Sequence, residues 1–238
     1  LTYLARRATI NDGSVHSGER TFYNAIPFST DSFRFAANFM QFYVERGVEG
    51  VDIFCKATGS TRLECINLIK EILTQGPAKA RVIISRTTPK QSGEFKTPED
   101  WLNFFFPTDK RPVYLFLDYR LTKTADWWYW FGTWDIGKQD GVHPAYLPYY
   151  NLTHEGNKIA GSHGLEFNKD SGRLRIDNGM VTVSSLVIWK MDNFYEKKYN
   201  NTGKYKFEIF EDGQFGALMD DKISETIFNK LFIRHKYP

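Results

Sequence analysis

The sequence predicts a mainly β protein with one sheet face buried against a partner layer, and three observations carry that expectation. Aromatic residues make up 16% of the 238 residues, with 20 Phe and 13 Tyr, side chains suited to strands and to broad contact surfaces. Late in the chain the pattern has period two: Val181, Val183, Val187 and Trp189 share one face of a run, and Tyr205, Phe207 and Ile209 oppose Lys204, Lys206 and Glu208 in the next. Within Phe39–Gly59, Val51, Ile53 and Cys55 alternate with Asp52 and Lys56, after a helix-like approach in which Phe33, Ala36, Ala37 and Met40 lie three, four and seven apart. Gly47 and Gly50 sit where the period changes, and glycine takes positive φ at no steric cost.

In chain order, Asp12-Gly13 marks a turn inside Asn11–Gly18, and Thr21–Ile26 reads as a strand stopped by Pro27. Thr61-Arg-Leu-Glu64 has capping-box form, and Leu63, Ile66, Ile69 and Leu73 continue a helix over 61–74 that Gly76-Pro77 ends. Arg81–Ser85 reads as a buried strand. Thr97-Pro98-Glu99-Asp100 opens a short helix closed by Pro107, with acids at the positive end of its dipole. Val113–Tyr119 reads as a strand, and beyond it the pattern looks wholly β. Trp127, Trp128, Tyr129, Trp130, Phe131 and Trp134 form a dense aromatic patch, Ala145–Leu147 lies between Pro144 and Pro148, Arg173–Ile176 is extended, and Asp177-Asn178-Gly179 is a strong turn. The tail from Leu218 to Ile233 has helical character and ends in an exposed Arg234–Pro238. With no repeat, low-complexity tract or linker, one domain over 1–238 is the expected count.

The charge balance of 31 basic against 28 acidic residues, net +3 with pI 8.7, is too even to mark a nucleic-acid binder and allows a weak attraction to polyanions. No run of 18 apolar residues and no apolar leader occurs, so neither a membrane span nor a signal peptide is written here. The first residue is Leu1, which points to a processed or trimmed chain. Cys55 and Cys65, ten apart, are spaced for a bridge, but two small apolar thiols near a core in a reducing compartment are the expected state. Asn151-Leu-Thr153 and Asn200-Asn-Thr202 are N-glycosylation triplets, of a kind common by chance.

Phosphate-binding loops, dinucleotide fingerprints, serine-hydrolase elbows and Cys-x-x-Cys pairs are all missing, and no cofactor or metal is expected. His143, His154 and His163 with Glu155 are the one group resembling metal ligands, but their spacings of 11 and 9 fit no helix or strand, so they read as surface-loop histidines. Asp118, Asp135 and Asp140 are candidate strand-end carboxylates. Asp118 also points away from the face of Val113, Leu115 and Leu117, as a solvent-facing acid does. Asp220-Asp221, followed by Lys222, reads as a solvated helix start rather than a proton-sharing pair. The tryptophan patch suits core and interface pockets before sugar or base stacking. Arg6-Arg7 and the Arg173/Arg175 pair are candidate phosphate contacts, although isolated basic pairs usually face water.

Phe42-Tyr43 followed by Arg46-Gly47 and an extended run resembles the start of the sheet in jelly-roll capsid proteins of picorna-like positive-strand RNA viruses, the dicistrovirus and iflavirus groups in particular. Leu4-Ala-Arg-Arg7 is similar to their basic lead-in, Leu147-Pro-Tyr-Tyr150 to their proline-aromatic motif, and Tyr205–Phe215 to their last strand. These patches cover about a quarter of the chain. The family's Asp-Asp-Phe is reduced to Glu211-Asp212 with Phe215 displaced, so no proteolytic role is carried over. The resemblance implies an eight-stranded antiparallel jelly-roll sandwich with a few short helices in its loops, cut from a polyprotein and found in the virion and in host cytoplasm during assembly. It implies a structural capsid subunit, not an enzyme. Phe42, Tyr43, Arg46, Gly47, Trp128, Trp130, Tyr149 and Tyr150 would then meet neighbouring subunits, Arg6 and Arg7 would face packaged RNA, and a host receptor would be a further partner.

Two other readings compete. Residues 51–119 fit βαβαβ and loosely resemble phosphodiesterase or glycoside-hydrolase strands, where Asp52 would be an acid whose partner is missing and His16 the only early histidine. A glycan-binding β-sandwich would use Trp128 and Trp130.

Overall fold

The computed structural model describes residues 18–87, 95–177, 179–190, 193–210 and 213–237, which leaves Arg6, Arg7 and His16 outside the described residues. The chain divides into two compact units. One comprises Leu1–Phe116 with Trp130–Val142, the other Leu117–Tyr129 with His143–Pro238. No helix among the described residues is long and apolar enough to cross a membrane.

The first unit is helical: α1 Gly18–Ser29, α2 Phe33–Thr58, α3 Arg62–Thr74, α4 Pro77–Thr87 and α5 Pro98–Phe105. The Ser32 side chain accepts the Phe35 N–H at the start of α2. Thr61 with Glu64 forms a reciprocal capping box at α3, as the sequence motif predicts, and Thr97, expected as an N-cap, forms a second one with Asp100 at α5. Phe22, Tyr23, Phe39, Phe42, Phe54, Ile69, Ile72, Trp101, Phe104 and Phe105 make one buried core. Each such ring contributes about 1.5–3 kcal/mol by leaving water, which is why short helices of modest propensity hold here.

Three expected strands are helical instead. Residues 51–56 continue α2: Val51, Phe54 and Ala57 lie three apart and all are buried, so the period-two reading of Val51, Ile53 and Cys55 was a coincidence of a short window. Residues 81–85 lie inside α4, where buried Ala80 and Ile84 stand four apart and Val82 is exposed. Thr21–Ile26 is likewise helical, within α1, despite Pro27. The period change at Gly47 is nevertheless a real feature. At φ 62°, ψ −162° it breaks α2 into two helical pieces, a conformation that a side chain disfavours. Val113–Tyr119 was expected as a strand, but 111–118 form neither strand nor helix. Its side chains do alternate, with Val113 and Leu115 half-buried and Tyr114 and Phe116 exposed.

Cys55 and Cys65 are joined in a disulfide with Cα atoms 5.3 Å apart, which corrects the expectation of two free thiols. It ties the end of α2 to the first turns of α3, and Arg62 Nη1 reaches both Cys55 Sγ at 3.4 Å and the Asp52 carboxylate at 2.6 Å.

Among the described residues the second unit carries nine strands: β1 Tyr146–Tyr150, β2 Thr153–Glu155, β3 Lys158–Gly161, β4 Leu165–Asn168, β5 Arg173–Ile176, β6 Gly179–Lys190, β7 Asn193–Lys198, β8 Tyr205–Ile209 and β9 Phe215–Asp220. They form a single sheet in the order β1-β9-β8-β6-β5-β4-β3-β2, with β7 also on β6. Every pairing is antiparallel except β6 with β8. The chain is therefore β-rich in its second half, but the eight-stranded jelly roll with few helices does not occur. A parallel pair within one mixed sheet is not the two-sheet antiparallel sandwich expected. Ile159, Leu165, Phe167, Leu174, Val183, Leu186, Phe207 and Leu218 fill its core.

The tryptophan patch is helical as well: α6 spans Ala125–Gly132, preceded by a 3-10 turn over Tyr119–Thr124. Gly132 ends α6 so close to α1 that a Cβ there would sit 2.8 Å from the Ala25 carbonyl oxygen. The tail leaves β9 through a one-turn helix, α7 Asp221–Ser224, and ends in a π turn over Asn229–Ile233.

Closing a loop of about ten residues lowers the entropy of the unfolded chain enough to add about 2–3 kcal/mol of stability. Reduction of the chain, or Cys55→Ala/Cys65→Ala together, is expected to lower the unfolding free energy of the helical unit by about that amount and to shift its urea midpoint downward. An unchanged midpoint in the double variant would show that the bridge contributes nothing.

Candidate aromatic binding site

In the second unit the aromatic residues are organised as a ladder of rings. Trp128 packs on Phe228 (centroids 4.9 Å apart), Phe228 stacks on Phe232 (5.3 Å), and Phe232 meets Phe210 (5.9 Å). Phe210 meets Phe215 (5.0 Å), which touches both Tyr150 (5.2 Å) and Tyr119 (5.7 Å), themselves 5.6 Å apart. The inner end is buried: the Trp128 indole N–H donates to the Leu121 carbonyl at 3.1 Å. The outer end reaches solvent at Tyr119, which is 46% exposed, and Trp127 on α6 is 60% exposed.

The 3-10 turn supplies the polar edge of this outer end. Asp118 caps it by accepting the Arg120 N–H at 2.8 Å and grips the Arg120 guanidinium with both carboxylate oxygens (Nη2–Oδ2 2.8 Å). The Arg120 side chain lies mostly in water, and its hydrogen bonds hold the Asp118 carboxyl below the usual carboxylate range. The buried Thr122 hydroxyl donates to the Tyr119 carbonyl at 2.6 Å, fixing the turn, and Lys123 Nζ lies 5.5 Å from the Tyr150 ring centroid. Part-exposed Tyr119, with the Asp118–Arg120 pair on the same turn and Lys123 over Tyr150, combines aromatic surface with charged hydrogen-bonding groups, a combination chemically able to meet an apolar face and polar substituents together.

The ladder's position depends on a buried ion pair. Glu208 of β8 is fully buried, and Arg234 Nη2 donates to its Oε1 at 2.7 Å and Nε to its Oε2 at 3.3 Å. Ser224 Oγ donates to Oε1 at 2.7 Å and Asn229 Nδ2 to Oε2 at 3.1 Å, while Arg234 also contacts Ser224 Oγ, Glu225 at 3.1 Å and the Trp189 ring. This network fastens the segment that carries Phe228 and Phe232 to the sheet. Nearby, the Tyr146 hydroxyl is buried without a hydrogen-bond partner, and burial drives its phenol far above the ordinary range.

The residues singled out from sequence scatter. Phe42 is wholly buried in the helical core between Phe104 and Phe105, and Tyr43 packs against Tyr23 and Phe39. Arg46 lies over the Phe104 ring and donates to its carbonyl at 3.3 Å, and Gly47 is the break in α2. Trp128 and Tyr149 are buried, the latter with its phenol pushed up to about 12 by burial. Trp130, in the helical unit, donates to Asp140 at 3.2 Å and packs on Trp134. Of the predicted residues Tyr150 and Asp118 belong to this site, Tyr150 by its ring contact with Tyr119 and Asp118 as the cap of the 3-10 turn. Asp135 and Asp140 accept backbone N–H groups in a turn, Asp220 caps α7, and Asp221 pairs with Lys206 at 2.9 Å. His154 bonds the Gly213 carbonyl, and among the described residues no cluster of acids, histidines and cysteines is arranged to hold a metal. Tyr119, Phe228 and Phe232 went unread as site residues, although Phe228 and Phe232 stand four apart, and Arg234, expected in an exposed end, is instead largely buried on Glu208.

Among solved structures, the C-terminal domain of C. jejuni PglB superposes with TM-score 0.58 at 16% identity, covering 99% of this chain and 80% of that one. The fold is that of the PglB C-terminal domain. No family model and no curated protein matches the sequence. The PglB-type fold overturns the resemblance to picorna-like capsid proteins and, with it, the capsid-subunit and virion reading. The motifs behind that resemblance were short, and Phe42-Tyr43 and Arg46-Gly47 turn out to be helix core and helix break.

Removing one partner of a buried ion pair leaves an uncompensated charge, at a cost of about 3–5 kcal/mol. Arg234→Met is accordingly expected to destabilise the β unit by that order in urea unfolding, and no loss would contradict the clamp. A second expectation concerns acid. Burial pulls the Glu225 carboxyl upward, but Arg234, then Lys230 and Lys206, outweigh it and hold it below its ordinary 4.5. Its contribution is complete above about 4.5 and is lost as pH falls through the lower folded value. Wild type is therefore expected to lose more stability than Glu225→Gln below pH 4.5, and parallel pH profiles of the two would refute this.

Proposed function

We propose that this chain serves glycosyl transfer, as the counterpart of the PglB C-terminal domain, and that its Tyr119 face holds an amido sugar. The observation that supports the reading most is the structural likeness over 99% of the chain, since PglB is a bacterial oligosaccharyltransferase. The surface agrees: Tyr119 is 46% exposed, follows Asp118 and precedes Arg120 in one turn, and is backed by Tyr150 and Phe215, with Lys123 over the Tyr150 ring. The sugar's C–H face stacks on the tyrosine, Arg120 donates to its amide carbonyl and hydroxyls, and Lys123 supplies a third donor.

The reading retains the glycan-binding alternative drawn from sequence but moves it from Trp128 and Trp130 to Tyr119, because Trp128 is buried and Trp130 belongs to the helical unit.

Calorimetric titration with an N-acetylated trisaccharide is expected to give weak, saturable binding. Tyr119→Ala should weaken it at least tenfold, about 1.4 kcal/mol, and Arg120→Ala by a smaller factor. Equal affinity for wild type and Tyr119→Ala, or no binding by wild type, would overturn the assignment.

A further inference from the structure

We propose that Asn200 is a site of N-linked glycosylation on this chain. Two independent observations converge on it. The first is the Cys55–Cys65 disulfide, since such bonds persist in oxidising compartments, where the enzymes that glycosylate asparagine also present their donor. The second is the geometry of the triplet Asn200-Asn201-Thr202 in the connection between β7 and β8. Asn200 and Thr202 are both exposed. The middle residue holds the loop: the Asn201 carboxamide donates to the Val183 carbonyl at 2.9 Å and accepts the Gly203 N–H at 2.7 Å. On the upstream side, the Tyr199 hydroxyl donates to the Lys169 carbonyl at 2.8 Å, and its ring lies against Gly172, where a Cβ would come within 2.6 Å. The loop is therefore pinned at its first and third residues and offers its second and fourth, the nucleophilic amide and the hydroxyl two places on.

The other triplet is built differently. Asn151 sits at φ 54°, Leu152 is buried with its N–H on the Gln214 carbonyl, and Thr153 is paired with Ala160 in β2. Entry into a transferase groove would require that pairing to open, so in the folded chain Asn200 is the acceptor.

In the reaction Asn200 Nδ2 bonds to the anomeric carbon of an oligosaccharide carried on a lipid diphosphate. The bond from that carbon to the phosphate oxygen breaks, the lipid diphosphate departs with the electron pair, and the amide nitrogen loses one proton.

The test is mass spectrometry of the chain purified from its native source, and of the full chain secreted by an N-glycosylating host. Trypsin releases Tyr199–Lys204 as a peptide, which is expected to carry a glycan. Asn200→Gln and Thr202→Ala, both exposed substitutions, should each abolish it while leaving circular dichroism unchanged. Alkylation without reduction should leave Cys55 and Cys65 unlabelled. An unmodified Tyr199–Lys204 peptide from both sources, a glycan at Asn151 alone, or freely alkylated cysteines in the native material would overturn the proposal.

Discussion

The β unit depends on one buried charge. Glu208 stands in the middle of a strand, on a sheet packed mainly by aliphatic and aromatic side chains, and is fully buried. A carboxylate in such a place is costly unless its oxygens are fully engaged, and here Arg234, Ser224 and Asn229 engage them. The consequence is positional rather than merely energetic. Because the guanidinium comes from the last described segment, the tail is held to β8, and with it the Phe228–Phe232 stack that joins Trp128 to Phe210. An apolar substitute at 208 would bury area equally well, but it would not specify which part of the tail docks there.

That constraint also explains how an exposed tyrosine is held still. Tyr119 lies on a 3-10 turn, an element with poor internal hydrogen bonding, yet it is fixed from below by Phe215 and Tyr150 and from within by Asp118 and Thr122. A ring held on a backing of rings loses little conformational freedom when a ligand stacks on it. The route from sequence to the Tyr119 face thus runs through packing, from the buried carboxylate to the docked tail and then to the ring ladder.

Much of this was legible in sequence, and the failures share one cause. The capping box at Thr61 and the N-cap with its Pro and acids at Thr97 marked α3 and α5 because their chemistry is local. Strands β6 and β8 were legible because period-two alternation persisted over enough residues. The stretches 51–56, 81–85 and 125–132 were misread because β-branched and aromatic residues favour strands only where nothing overrides them. Here the override is tertiary: Val51, Phe54, Ile84 and Trp128 each face a core that a helix reaches. Glu208 was taken for an outward-facing charge since it alternates with Phe207 and Ile209, and nothing local distinguishes a solvated glutamate from one awaiting an arginine 26 residues later. The cysteines carried the correct spacing for a bridge, and only their placement on two adjoining helices decided between bridge and thiols.

The most direct test of the account is a crystal structure of the chain soaked with the N-acetylated trisaccharide. The account predicts a pyranose ring lying flat on Tyr119, with its acetamido group within hydrogen-bond reach of Arg120 or Asp118 and the Glu208–Arg234 pair unchanged beneath. A sugar bound at another surface, such as the exposed Phe194 and Tyr195 of β7, with the Tyr119 face bare, would contradict it.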